Sequence, residues 1–509
     1  MIDVLFINPG SSKKIYQDLS NKYTSIEPPT WSLLLAKSCQ SQGFLPKILD
    51  CNAENLSNEE ILKKVEEANP RLICFVVYGQ NVNAGTTSME GAINISNFLK
   101  KHSNRLISYV GSHVQALPLE TLKNEKSIDF VFTNEGVYAL WKILKLSNIS
   151  IENLENLKGI AYRNLNNKII FNKPEIIVPN DKMDEHLPGY AWELLPFKKK
   201  PFDLYRSPMW HAEYLDENRT PYAAIQTSIG CQFKCSFCMI NIINRNDNKE
   251  VGVANTYSNM RYWSPNFIIK EFDKLIGYGV KTIKITDEMF LLNPKYYKPL
   301  CEMLAERNKD DKLMMWAYSR VDTVKRQEIL NLVRQAGIKW LALGIESGDK
   351  NVRLEVSKGK FEDVDVNKVI EQVHNSDIQV MGNYIFGLPG DTKETMQKTL
   401  DLSIQLNTMG WNGYAATALP GSELYKIALD KGVKLPETYG AYSFHSYDTL
   451  PLSNENLTAA EILRFRDEAF LTYHTNKDFL NKALKKFGKK SIDNINNMTS
   501  IKLKRKILE

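Results

Sequence analysis

The chain has 509 residues, 43% hydrophobic and 24% charged, which is the composition of a soluble globular protein too long for one ordinary domain, so two or three are expected. The formal net charge of +6 is spread along the chain, with basic runs only at Lys198–Lys200 and at Lys502, Lys504, Arg505 and Lys506; this argues against a nucleic-acid partner or a basic membrane-binding face. No apolar run reaches the ~18 residues that span a bilayer, MIDVLFINPG lacks the signal-peptide pattern, and seven cysteines with three packed into one short segment do not make a secreted disulfide framework, so a cytoplasmic, reducing setting is expected.

The first part of the chain alternates apolar runs with helical stretches: VLFIN (4–8), a helix around 30–43, PKILD (46–50), a helix around 57–68, LICFVVYG (72–79), a helix around 89–102, LISYVG (106–111) and DFVFTNEG (129–136). This pattern predicts a Rossmann-like, doubly wound parallel sheet in a domain over 1–148. Ligands of such sheets lie beyond the carboxyl ends of the strands. The loops to watch are therefore Asn8-Pro9-Gly10, Tyr78-Gly79-Gln80, Gly111-Ser112-His113 and Asn134-Glu135-Gly136.

Residues 149–215, with Asn-rich turns and HLPGYAWELLPF, read as a connector. A second α/β series follows over 216–432, with strands expected at 223–229, 281–286, 312–318, 340–346, 379–387 and 413–419. Six βα units predict a partial (β/α)6 barrel with its chemistry at the carboxyl ends of the strands. Over 433–509, AAEILRFRDEAFLTYH and FLNKALKKFG predict a small helical C-terminal cap.

TSIGCQFKCSFCMIN places Cys231, Cys235 and Cys238 on the loop after the first barrel strand. Three thiolates can hold three irons of a 4Fe-4S cubane and leave the fourth open, as a four-cysteine electron-transfer site does not. A structural zinc site would want a fourth Cys or His nearby, and none follows Cys238 within about sixty residues. Three incidental buried cysteines are the other alternative.

This CxxxCxxC spacing, with Phe237 before the third cysteine, resembles the radical S-adenosylmethionine (SAM) superfamily. The resemblance implies that the open iron chelates SAM and that electron transfer yields a 5′-deoxyadenosyl radical. It also implies SAM contacts at Phe237, at Asp287 or Glu288, at Arg320, at Gly344 and Glu346, and at Ile385 and Gly387, each at the end of a barrel strand. The bland readings are a helix N-cap for the acidic pair, a rim ion pair for Arg320 or Glu346, and an ordinary Gly-Leu-Pro-Gly turn.

A Rossmann-like domain before such a barrel resembles the cobalamin-binding branch of the superfamily, through PPTWSLLLAK, GSHVQALP, the TNEG turn and LPGYAWELLP. The resemblance implies cobalamin near Asn8, Pro9, Gly10, Tyr78, Gly79, Gly111, Ser112, His113 and Glu135. The branch's DxHxxG motif is absent, and His113 reads better as a loop residue than as a cobalt ligand. Cys39, Cys51 and Cys74 read as buried small apolar side chains.

The resemblance implies transfer of a methyl group from cobalamin to an unactivated substrate carbon, with the substrate at the seam of the two domains near Tyr318, Trp411, Asn412, Tyr414 and His445. A low-potential electron donor such as flavodoxin or ferredoxin is the expected partner. The alternatives are a cobalamin-dependent cyclase, oxidase or ring-rearranging enzyme, a radical SAM enzyme with a repurposed first domain, a methylthiotransferase and, from another class, an iron-sulfur electron carrier or sensor.

Overall fold

The computed structural model describes residues 2–10, 15–20, 22–79, 81–324, 326–357, 361 and 364–509; Gln80, which closes one of the expected loops, lies outside them. The first domain is built on β1 (Ile2–Asn8), β2 (Pro46–Asp50), β3 (Pro70–Val76), β4 (Ile107–Val110) and β5 (Phe130–Phe132). These pair in parallel in the order β2-β1-β3-β4-β5. Val4 and Phe6 of β1 pack into one apolar cluster and Leu5 and Ile7 into another. Both faces of the strand are therefore covered, which is why it reads as an unbroken apolar run.

The sheet does not stop there. β6 (Ile160–Arg163) and β7 (Ile169–Phe171) add antiparallel strands beyond β5, so the sheet is mixed rather than wholly parallel, and the expected connector begins with a hairpin. Its turn is the Asn-rich segment read as a linker: Asn164 N–H donates to the Lys168 carbonyl, and Asn167 takes a positive φ of 59°, a conformation asparagine tolerates.

The second domain contains β8 (Tyr222–Ile225), β9 (Ser228–Cys231), β10 (Asn259–Tyr262), β11 (Thr282–Ile285), β12 (Met314–Arg320), β13 (Ile338–Glu346), β14 (Gln379–Phe386) and β15 (Gly410–Ala415). Six of them form a parallel sheet ordered β15-β14-β13-β12-β11-β8. β8 and β15 are its two edges, which makes it the expected partial barrel. The run expected as one strand over 223–229 is broken at Gln226: β9 leaves the barrel and pairs antiparallel with β10, Cys231 opposite Asn259. Helices Ala459–His474, Lys477–Phe487 and Lys489–Ser500 form the cap.

The two domains are joined by buried charge. Arg261, on β10, donates to Glu135 at 2.7 Å, to the Val178 carbonyl at 2.8 Å and to Asn244 Oδ1 at 2.9 Å, while Val178 N–H donates to the other Glu135 oxygen at 2.6 Å. Glu135, expected beside a ligand, is instead consumed in this joint; both side chains of the pair are 1% exposed. Nearby, the Arg245 guanidinium donates to the Gln115 and Ala116 carbonyls. Removing one partner of such a pair leaves an uncompensated buried charge. Arg261→Met should therefore destabilise the full chain by about 3–5 kcal/mol, and the double variant with Glu135→Gln should recover part of that loss; thermal unfolding of the three proteins checks both.

Candidate functional site

The carboxyl ends of the barrel strands open into a cavity of about 510 Å³, within the usual size range of small-molecule sites. Its first wall is the loop after β9. Cys231, Cys235 and Cys238 all line the cavity, Cys231 buried and the other two half-buried. Backbone N–H groups point at the sulfurs, Phe233 to Cys231 at 3.4 Å and Ile240 to Cys238 at 3.5 Å. The Cys231 N–H is itself held by Asn241 Oδ1 at 2.9 Å.

Burial pushes the thiols up, Cys231 to about 12 and Cys235 to about 11. Taking up iron here must therefore release protons. Among the described residues no three His, Cys, Asp or Glu side chains converge on a point for a single ion. A cubane has no such requirement, because each thiolate takes a different iron. Three thiols lining one wall, one buried and two half-buried, with N–H donors aimed at two of them, fit that group.

The rim of the barrel sorts the remaining sequence candidates. Asp287 and Glu288 are neighbours with opposite fates. The Asp287 carboxylate accepts from Thr227 N–H at 2.5 Å, Thr227 Oγ1 at 2.7 Å and Ser228 Oγ at 2.5 Å. It is fully buried and pins the start of β9, so the expectation that it faces a ligand is corrected. Glu288 lines the cavity, and burial first, then the charge of Asp287, raises its carboxyl to about 8 against the pull of Lys284.

Arg320 lines the cavity in a bidentate pair with Asp322, both contacts 2.6 Å, and its guanidinium lies 3.8 Å from the centre of the Phe233 ring. The ion-pair reading is thus correct as to geometry, and the pair stands at the cavity wall.

Gly344 and Glu346 work together. The β13–β14 register shifts between them, and Glu346 takes a positive φ of 65°, a strained state for a non-glycine residue. Both line the cavity. A Cβ on Gly344 would lie 2.6 Å from Glu346 Oε1, so a side chain there would push the carboxylate from its present position. Burial raises Glu346 to about 7, with Arg320 and Arg353 opposing. Phe237 and Ile385 line the cavity and share a small apolar cluster with Val352, Val356, Leu388 and Ala416. Gly387 is not part of the wall. Its N–H donates to Asp391 at 3.0 Å, and a Cβ there would meet Ile462 of the cap at 2.6 Å.

The first-domain candidates are largely displaced. Asn8 donates to Asp50 at 2.7 Å, Pro9 is buried and Gly10 exposed. Tyr78 packs on Trp31, 4.9 Å between ring centres, and leads into Gly79. Ser112, after Gly111, donates to the Val82 carbonyl at 2.6 Å. His113 contacts Thr86 Oγ1 at 3.3 Å and meets Tyr439 edge-on; burial lowers its ring to about 4. None of these nine residues, Glu135 included, lines the cavity.

The first domain instead contributes Tyr16, Glu27, Asn81, Asn83, Ala84 and Thr87. Asn83 bridges the domains: its amide lies 3.8 Å from Cys238 Sγ and its Oδ1 accepts the Met239 N–H at 3.0 Å. The watched loop after β3 stopped one residue short of this group. Nothing in the sequence marked Tyr16 or Glu27. Apart from Glu27, these polar groups are neutral, which suits the amide-bearing rim of a corrin, and none is an imidazole. Of the seam candidates, Tyr318, Asn412, Tyr414 and His445 line the cavity, whereas Trp411 packs against Tyr473 of the cap.

The Radical SAM superfamily model matches residues 225–403, and the B12 binding domain model matches residues 16–144. The chain is a radical SAM protein with a B12-binding domain. It is 23% identical over 460 residues to the uncharacterized methyltransferase PH0819 of Pyrococcus horikoshii, covering 90% of each chain. It is 22% identical over 474 residues to the anaerobic magnesium-protoporphyrin IX monomethyl ester cyclase of Cereibacter sphaeroides, covering 90% of this chain and 68% of the cyclase. Among solved structures, the radical SAM methyltransferase TsrM of Kitasatospora setae, with cobalamin and a 4Fe-4S cluster bound, superposes with a TM-score of 0.62 at 15% identity, covering 92% of this chain and 88% of TsrM. The cobalamin-dependent radical enzyme OxsB gives 0.63 at 14% identity over 95% of this chain and 70% of OxsB. These superpositions establish a shared fold.

A carboxyl whose folded value is raised favours the folded state below its unfolded value and loses that contribution as pH rises through the folded one. Glu346 and Glu288, at about 7 and about 8, should make the cofactor-free protein less stable at pH 8.5 than at pH 6. The Glu288→Gln, Glu346→Gln double variant should flatten that decline in thermal melts. Equal slopes for the two proteins would refute these raised values. With a cluster bound, Asn83→Ala removes a hydrogen bond to a ligand sulfur and should lower the cluster's midpoint potential, read by redox titration with electron paramagnetic resonance.

Proposed function

We propose that this protein is a cobalamin-dependent radical SAM methyltransferase acting on an unactivated carbon of a small molecule. The observation that carries the reading is the shared cavity: the three-cysteine loop of the radical SAM domain and the Asn81–Thr87 stretch of the B12-binding domain line one chamber. Substrate, SAM and corrin would meet there, as the chemistry demands.

Bound in place, the cluster and SAM supply a carbon-centred radical that takes a hydrogen atom, and cobalamin supplies the methyl group. The protein's own work is placement and exclusion of water. Cys231, Cys235 and Cys238 would hold the cluster. Glu288 and Glu346 are carboxyls suited to the amino group of SAM, and Arg320 is suited to its carboxylate or ribose. Phe237 and Ile385 offer an apolar slot for adenine. Asn83 ties the corrin side to the cluster loop. The relatives named as methyltransferases, TsrM among them, support transfer. The similarity to the protoporphyrin ester cyclase, over 90% of this chain, supports a second reading in which the same radical starts a ring closure or oxidation.

Reconstituted without oxygen and given SAM and a strong reductant, the protein should release 5′-deoxyadenosine, and Cys235→Ala should reduce release to background. S-adenosylhomocysteine formed alongside supports transfer; deoxyadenosine alone, in the presence of substrate and bound corrin, supports the cyclase reading. Full SAM cleavage by Cys235→Ala would overturn the proposal.

A further inference from the structure

The cavity has a floor as well as a rim. Along β12 the inward residues are Trp316, Tyr318 and Arg320, and along β13 they are Ala342, Gly344 and Glu346; all six line the cavity. Four residues of strand span about 13 Å, so the floor lies roughly one small molecule below the layer assigned above to SAM. A barrel interior of this kind is ordinarily filled by bulky branched side chains. Here β13 offers only Ala342 and Gly344, and the space stays open.

At that floor stands an ion pair. Lys284, on β11, contacts both Glu27 oxygens, at 3.1 and 2.9 Å. The two side chains are 2% and 6% exposed, yet both residues line the cavity. Glu27 belongs to the first domain and also accepts from the Tyr222 hydroxyl of β8 at 3.4 Å. The Lys284 ammonium lies 5.1 Å from the Trp316 ring centre and 5.6 Å from that of Tyr318. A buried pair like this is no better for stability than well-packed apolar residues. Placed at the end of an open chamber, it presents one anion and one cation side by side to whatever enters.

We propose that Glu27 and Lys284 anchor the polar head of the substrate, and that this head is a zwitterionic α-amino acid group, its ammonium at Glu27 and its carboxylate at Lys284. The inference rests on the function proposed above and names its substrate class. The charge balance selects the head. An amine alone would draw Glu27 away from Lys284, and a carboxylate alone would draw Lys284 away from Glu27, so either one breaks the buried pair without replacing it. A zwitterion meets both charges, and its entry leaves neither uncompensated. The side chain of the amino acid then rises between Trp316, Tyr318 and Tyr414 toward the rim, where the amides of Asn383 and Asn412, paired at 3.0 Å, offer it further hydrogen bonds.

The test uses the full chain kept reduced and oxygen-free. The twenty common α-amino acids are titrated against its intrinsic tryptophan fluorescence, to which Trp210 and Trp316 of the cavity contribute. The tightest binder is then compared with its decarboxylated amine, its deaminated acid and its α-carboxamide. The expected result is binding of at least one amino acid, with each of the three derivatives at least tenfold weaker, and at least tenfold loss for Lys284→Met and for Glu27→Gln. If Lys284→Met fails to fold, Glu27→Gln combined with Lys284→Gln keeps the pair's shape without charge and should show the same loss. No binding by any of the twenty, a carboxamide as tight as the parent, or unchanged binding by the variants would overturn the proposal. Wild-type protein that cleaves SAM but binds no amino acid would remove this inference and keep the radical SAM reading, so the two failures are told apart.

Discussion

Everything the two domains do together depends on the buried joint between Arg261 and Glu135. β10 carries the arginine, β10 pairs with β9, and β9 ends at Cys231. A single hydrogen-bonded charge pair thus connects the end of the first sheet to the strand that delivers the first of the three cysteines. Both Glu135 oxygens and both terminal nitrogens of Arg261 have partners, and such pairing is what makes a buried charge tolerable, although the Arg261 Nε is buried without a hydrogen-bond partner. Asn83 repeats the connection from the other side, meeting Cys238 and Met239 directly. The cluster loop and the strand before it are therefore held by the first domain through Glu135 and Asn83, with Arg245 adding its contacts to Gln115 and Ala116, and the cavity is a product of domain docking.

How much of this was legible in the sequence follows from what each segment buries. Strands covered on both faces write continuous apolar runs, and β1 and β3 were readable for that reason; β15, at the barrel edge, is GWNGYA and begins three residues before the expected strand. β7 is three residues long, IIF, none of them fully buried, and β10 is the polar NMRY. Such segments are strands only because a neighbour pairs with them. Motifs located the strand ends well, but not the direction of each side chain. Asp287 and Glu288 are adjacent, and one turns into the wall while the other turns into the cavity; nothing in the letters distinguishes them. The same limit explains Glu135, which was expected beside a ligand and whose actual partner, Arg261, lies more than a hundred residues away. The cysteines were the opposite case, since the spacing of a cluster site is local.

The cavity is layered by charge. The rim carries Glu288, Glu346 and Arg320, with both carboxyls raised by burial, so it is poised to ionise when a cationic group arrives. Strain is stored at the same level: Glu346 holds a positive φ beside a register shift, and its carboxylate lies where a side chain on Gly344 would displace it. Such local costs are tolerated where surrounding structure over-determines them, and here the surrounding structure is the middle of a six-stranded sheet.

The floor obeys a different rule. Its charges are already paired with one another, so they need no ligand to be stable, and a ligand can displace that pairing only by replacing both halves of it. This makes the floor selective against ions of either sign while leaving the aromatic walls free to accept a range of apolar bodies. Rim and floor together orient a guest, because Lys284 pairs in register with Trp316, about 13 Å of strand below Arg320. The part of the guest exposed to radical chemistry is then whatever stands opposite its head, and its carbon skeleton, more than its functional group, decides which hydrogen lies within reach.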